Sequence, residues 1–298
     1  QNAFKIEEDK YVFPESEGMI IIMYKNDTIY YPQDEMNTVL LPITSGCSYN
    51  KCAFCSMYKD VKYCQVPFAN IEMQLRSGYL YTEKVFLTGA DPMSIGFEKM
   101  KRLLDMIHQY LPYCARVASY ASIKNISRYS VDELSILHDA GLRLLYIGFE
   151  TGRDDILKLM NKGHTVNEAI QQARKLNEAK IQFNTVVMYG IAGKGESVDN
   201  AFATAKMINQ FITSRVITMN LTVFYGTELD SMVRKGDFIP PDGNERLLEI
   251  KTLLEKLEPK KPMLFDSTHP TNIIKIQGTL PKDREILINT VKKYIKTF

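Results

Sequence analysis

The chain has 298 residues, a formal net charge of +2 and 45% hydrophobic residues, so it can bury a sizeable core. Balanced charge offers no polybasic field for nucleic acid, and no apolar run is long enough to span a membrane. The five cysteines are odd in number and clustered, which argues against a disulfide framework and for a reducing, cytoplasmic setting.

In chain order, MIIIMY (19–24) and TIYY (28–31) flank the turn residues Lys25 to Asp27, which predicts an N-terminal β-hairpin extension over 1–37. From residue 38 short β-branched runs alternate with helical patterns. The strands expected are 38–44, 84–89, 115–120, 142–149, 181–190 and 216–226. Helices are expected between them at 96–111, 131–141, 165–180 and 197–211, and Ser130 with Glu133 and Thr165 with Glu168 form capping-box pairs. Six such alternations predict a parallel sheet in an α/β fold, a partial (β/α)6 TIM-like barrel over 38–235. A doubly wound open sheet is the alternative. Residues 236–298 read as a C-terminal helical extension covering the barrel mouth, with helices at 243–258 and 283–294.

The loop leaving the first strand carries CSYNKCAFC (47–55). A strand's carboxyl end is where parallel α/β proteins build active sites. Cys47, Cys52 and Cys55 are spaced x4 then x2, close enough to wrap one metal centre, and soft thiolates select zinc, copper or iron–sulfur. A closed zinc site wants a fourth ligand, for which Cys64 is the candidate; this reading describes a zinc-stabilised binding protein. A [4Fe-4S] cube on three cysteines leaves one iron free to chelate a substrate. An iron–sulfur redox carrier is the third reading. Cys114, before the third strand, reads as buried and inert.

The cysteine stretch resembles the cluster motif of the radical S-adenosylmethionine (SAM) enzymes, with Phe54 in the aromatic position before the third cysteine. The first gap is x4, where the commonest form has x3. TGADP (88–92), ending the second strand, resembles the family's Gly-rich motif for the SAM amino group, with Thr88, Gly89, Ala90 and Asp91 as its members. GFETG (148–152) ends the fourth strand and resembles the GxESG segment, which assigns Glu150 to SAM polar or ribose contacts. Gly190, Ile191 and Gly193, after the fifth strand, resemble the adenine-side motif, and FYGTEL (224–229) resembles the turn after the sixth.

The resemblance, strongest to compact members of the Elongator-type and coproporphyrinogen-oxidase-type group, implies an oxidoreductase or lyase. It implies a [4Fe-4S] cluster whose open iron is chelated by SAM, and an electron donor such as flavodoxin or ferredoxin. It implies hydrogen abstraction from a small molecule, with a peptide as the other substrate class. His269, in FDSTHPTN (265–272), is the candidate catalytic proton carrier. Lys162 and Arg153 are candidates for the SAM carboxylate, and Tyr58, Tyr189 and Tyr225 for the pocket wall.

Overall fold

The computed structural model describes residues 29–77 and 81–295, together with the backbone of three N-terminal strands. Those strands are β1 (Phe4–Glu7), β2 (Lys10–Pro14) and β3 (Ile20–Tyr24), which form an antiparallel sheet in sequence order. The expected hairpin is therefore replaced. β3 pairs with β2, from Ile20 opposite Pro14 to Tyr24 opposite Lys10, and 29–32 form no strand. The turn at Lys25 to Asp27 lies outside the described residues. A strand's alternation does not name its partner, and here a second apolar run precedes it.

The chain divides into two compact units. The first comprises Gln1–Asn50 and Tyr58–Leu145. It holds β4 (Val39–Pro42), β5 (Thr44–Ser45), β6 (Cys64–Gln65), α1 (Phe68–Arg76) and β7 (Lys84–Thr88), followed by α2 (Phe97–Tyr110) and β8 (Arg116–Ala121). The helices α3 (Ile123–Ile126) and α4 (Val131–Asp139) complete it. β4 pairs parallel with β7, and β7 with β8. Val85, Phe86, Leu87 and Thr88 are all buried, the continuous run expected of a parallel strand covered on both faces. α2 buries Met100, Leu103, Leu104 and Ile107, the i, i+3, i+4, i+7 stripe of an amphipathic helix. Ser130 and Glu133 close the capping box that starts α4.

The strand β9 (Leu142–Glu150) runs from the first unit into the second, which comprises Lys51–Met57 and Tyr146–Phe298. After it come α5 (Asp154–Leu159), α6 (Val166–Glu178), β10 (Gln182–Tyr189), α7 (Ser197–Ile208) and β11 (Arg215–Asn220). β10 and β11 pair parallel from Asn184 opposite Arg215 to Tyr189 opposite Asn220. Matched register brings both carboxyl ends to one level. The strand expected to reach 226 stops at Asn220, because Thr222 to Gly226 turn toward α8 (Glu228–Lys235).

The C-terminal part is not only helical. After α9 (Gly243–Lys256), β12 (Met263–Asp266) pairs parallel with β11, and β13 (Gln277–Leu280) pairs antiparallel with β12 before α10 (Arg284–Ile295). Both strands are four residues long, too short for a periodic signal. No helix among the described residues is long and apolar enough to cross a membrane.

Candidate cofactor site

The cysteine loop leaves β5 through Gly46, at φ 68°, where a Cβ would lie 2.8 Å from the Val61 carbonyl oxygen. Only glycine fits there. Cys47 Sγ accepts the Asn50 N–H at 3.3 Å, and Asn50 Nδ2 donates to the Tyr58 carbonyl at 2.9 Å. All three motif cysteines are half-buried and none is in a disulfide, Cys64 is exposed opposite Ser45 in β6, and Cys114 is buried.

Segment Lys51–Met57 belongs to the second unit and is pinned at its centre. The Ala53 N–H donates to the Met160 carbonyl at 2.9 Å, and the Ala53 carbonyl accepts the Leu229 N–H at 2.9 Å. Ala53 is fully buried in an apolar cluster with Met160, Ile191, Leu229 and Phe238, against which Phe54 packs. This buried anchor between Cys52 and Cys55 holds the backbone from which both thiols project. The Lys162 Nζ stands 5.9 Å from the Phe54 ring centroid and donates to Glu150 Oε1 at 2.7 Å. Burial opposes its charge, but Glu150 and the Cys52 and Cys55 sulfurs hold its pKa above the ordinary lysine value.

In the first unit, TGADP ends β7 in a turn pressed against β5. Gly89 has φ 121°, and a Cβ there would collide with Thr44. Asp91 is buried, and its Oδ2 accepts the Ser122 N–H at 3.1 Å and Asn125 Nδ2 at 2.6 Å. Its Oδ1 and the Thr44 Oγ1 are buried without a hydrogen-bond partner. Burial pushes the Asp91 carboxyl up to about 6, against the hydrogen bonds from Ser122 and Asn125. An orphaned buried carboxylate oxygen is costly unless a donor arrives, and a ligand ammonium is such a donor. Asn125 Nδ2 also donates to Ser48 Oγ at 3.2 Å, joining the Asp91 turn to the residue after Cys47. The sequence reading missed Asn125, whose short helix α3 is below the length that periodicity detects.

In the second unit, Glu150 ends β9 at φ 64°, a left-handed conformation that a non-glycine residue holds only under constraint. It is buried and paired with Lys162. Arg153 is held by Glu196 at 2.6 Å and Asp155 at 2.6 Å, so its guanidinium is already committed. Gly190 and Gly193 have φ 82° and 89°, and the Ile191 side chain is fully buried, leaving only backbone on that turn to meet a ligand. The Gly190 N–H donates to Glu249 Oε2 at 2.8 Å. Glu249 went unrecognised, though a glutamate among the apolar positions of α9 was a readable signal.

His269 lies half-buried between β12 and β13, with Nδ1 2.8 Å from Thr271 Oγ1 and accepting the Thr271 N–H at 3.3 Å. An N–H donor at Nδ1 selects the neutral tautomer protonated on Nε2. Burial lowers its pKa, partly offset by Asp266. The same loop is tied to the ends of β10 and β11. Ile273 N–H donates to the Tyr189 hydroxyl at 3.1 Å, and Asn220 N–H to Asn272 Oδ1 at 2.8 Å. Tyr58 is buried edge-on to Tyr30, whereas Tyr225 is 89% exposed and rests on Arg234.

Among the described residues, no three His, Cys, Asp or Glu side chains are already gathered to hold a metal ion. The fit of an iron–sulfur cluster therefore rests on the donor set. Cys52 and Cys55 stand on the segment pinned at Ala53, Cys47 precedes it in the same loop, and none of the three is in a disulfide.

The sequence model of the Radical SAM superfamily matches residues 41–230, and the chain belongs to that superfamily. The heme chaperone HemW of Bacillus subtilis (strain 168) is 23% identical over 218 residues, covering 71% of this chain and 56% of HemW. The chain thus spans little more than half of that relative's length. Methylornithine synthase (PylB) superposes with a TM-score of 0.57 at 15% identity, covering 85% of this chain and 68% of that one. Elp3 from Methanocaldococcus infernus superposes with a TM-score of 0.54 at 16% identity, covering 87% and 63%. These likenesses show the fold, an α/β partial TIM-like barrel. Superfamily membership supports SAM-dependent radical chemistry and an enzyme.

Proposed function

We propose that Cys47, Cys52 and Cys55 hold a [4Fe-4S] cluster, and that SAM binds its open iron and the turns at 88–91, Glu150 and 190–193. The observation that carries this reading is Asp91. Its buried, partnerless Oδ1 stands on a glycine turn with no room for a side chain, linked through Asn125 and Ser48 to the cysteine loop. When bound, the cluster supplies one electron that splits SAM into methionine and a 5'-deoxyadenosyl radical, which takes hydrogen from the substrate.

The chain's own residues then do five things. Asp91 and Thr44 receive the SAM amino group, whose N–H groups satisfy both orphaned oxygens. Glu150, fixed by Lys162, accepts hydrogen bonds from the ribose. The backbone of Gly190, Ile191 and Gly193 lies against the adenine, and Phe54 shields the reacting centre from water. His269, neutral and protonated on Nε2, is the candidate catalytic residue that offers this N–H as a hydrogen-bond donor to the substrate.

The substrate is a small molecule, or else a peptide, and the donor is a flavodoxin or ferredoxin. The net reaction is an oxidation or a lyase cleavage in a cytoplasmic setting. Residues 236–298 cover the mouth of the barrel, with 38–235 as the catalytic core. No observation favours the zinc-bound alternative using Cys64.

Anaerobic reconstitution tests this. About four irons per chain are expected, with 5'-deoxyadenosine released on adding dithionite and SAM. Stoichiometric zinc, or a cluster that yields no deoxyadenosine with any donor, refutes it.

A further inference from the structure

Helix α9 lies beyond the residues that the superfamily model matches, yet three of its side chains grip the turns after β10 and β11. Glu245, Arg246 and Glu249 fall at i, i+1 and i+4, on adjoining parts of one helix face. Glu245 Oε1 accepts the Gly195 N–H at 2.6 Å. Arg246 Nη1 bonds Asn220 Oδ1 and lies 3.3 Å from the Leu221 carbonyl, and its Nε donates to Pro241 at 3.0 Å. A Cβ on Gly190 would collide with that guanidinium, so the turn and the helix are in close contact.

Glu249 is the buried member, 3% exposed. Its Oε2 accepts the Gly190 N–H at 2.8 Å, and its Oε1 accepts Asn200 Nδ2 at 2.6 Å. Asn200 Oδ1 in turn accepts the Thr151 hydroxyl at 2.5 Å. Thr151 follows Glu150, and its oxygen also accepts the Arg153 N–H at 3.2 Å. One buried chain of hydrogen bonds therefore joins the turn after β9 to the turn after β10, with Glu249 at its centre. In a low-dielectric interior such a chain has few alternative arrangements, so it fixes the spacing of the two turns.

We infer that Glu249 is a positioning residue for the nucleoside of SAM, holding the adenine-side turn at Gly190 in register with the ribose-side turn at Glu150 through Asn200 and Thr151. The inference rests on the SAM reading of those two turns. It makes α9 part of the cofactor site although Glu249 needs no contact with the ligand. Truncation to alanine frees the Gly190 N–H and the Asn200 amide. Glutamine can restore both bonds, with its carbonyl oxygen on Gly190 and a flipped Asn200 turning its Oδ1 to the new amide and its Nδ2 to the Thr151 hydroxyl.

The test compares reconstituted wild type, Glu249→Ala and Glu249→Gln by SAM titration. Iron content is measured for each, and amide hydrogen exchange at Gly190 is measured without SAM. Glu249→Ala is expected to bind SAM at least tenfold more weakly at unchanged iron content and to exchange Gly190 faster, while Glu249→Gln stays within about threefold of wild type on both readouts. Wild-type SAM affinity retained in Glu249→Ala, or unchanged exchange at Gly190, overturns the inference. If Glu249→Ala does not fold, a Glu249→Gln protein as defective in SAM binding as Asn200→Ala overturns it instead. Failure of the wild type itself to bind SAM strikes the underlying reading, whereas the exchange measurement still tests the brace.

Discussion

Replacing Glu249 with glutamine should change how stability depends on pH. Burial pushes this carboxyl from its ordinary 4.5 up to about 7, against the bonds from Asn200 and Gly190. The folded chain therefore holds the proton more tightly than the unfolded chain. Between those two values the unfolded state binds fewer protons, so stability falls as pH rises. The contribution is complete below 4.5 and is lost as pH passes through about 7. At about 1.36 kcal/mol per pH unit, the gap is worth about 3 kcal/mol. Glutamine keeps the shape of the protonated acid and does not titrate. Its stability relative to wild type should therefore rise by about 3 kcal/mol between about pH 4 and about pH 8.5. Asp91 titrates in both proteins and cancels in the difference. Urea unfolding of the apoprotein, repeated across that range, reads the effect. Parallel curves for the two proteins would refute the reasoning, because a solvated carboxyl gives no such divergence.

Serine at Cys47, Cys52 or Cys55 should abolish iron binding after anaerobic reconstitution, while Cys64→Ser and Cys114→Ser keep about four irons per chain; iron loss in Cys64→Ser would reopen the zinc-type ligand set. Asp91→Asn should weaken SAM binding by about tenfold to a hundredfold, the worth of a charge-assisted hydrogen bond, with iron content unchanged. Equilibrium titration of the reduced protein checks it, and wild-type affinity would remove Asp91 from the site. Gly89→Ala combines the left-handed φ of 121° with a collision at Thr44 and should cost at least about 2 kcal/mol in chemical denaturation.

The strand–helix alternation from residue 38 onward was legible because parallel strands buried on both faces are written as apolar runs, as in KVFLT of β7. The capping boxes at Ser130 and Thr165 were legible because they are local chemistry between residues three apart. The x4, x2 cysteine spacing was legible for the same reason, and with the later strand-end motifs it was enough to point to the family. These are short-range features, and sequence determines them by itself.

Tertiary structure decided what depends on partners distant along the chain. The partner of β3 was one such case, since any alternating strand accepts any edge of matching register. The orphaned oxygen of Asp91 was another. Its meaning comes from Asn125, 34 residues away, which satisfies one carboxylate oxygen and leaves the other. The grip of Glu249 on Gly190 spans 59 residues, and although its place among the apolar positions of α9 is written locally, nothing local names the backbone N–H that it meets. A buried charge owes its state to what surrounds it, and the surroundings are assembled only by the fold.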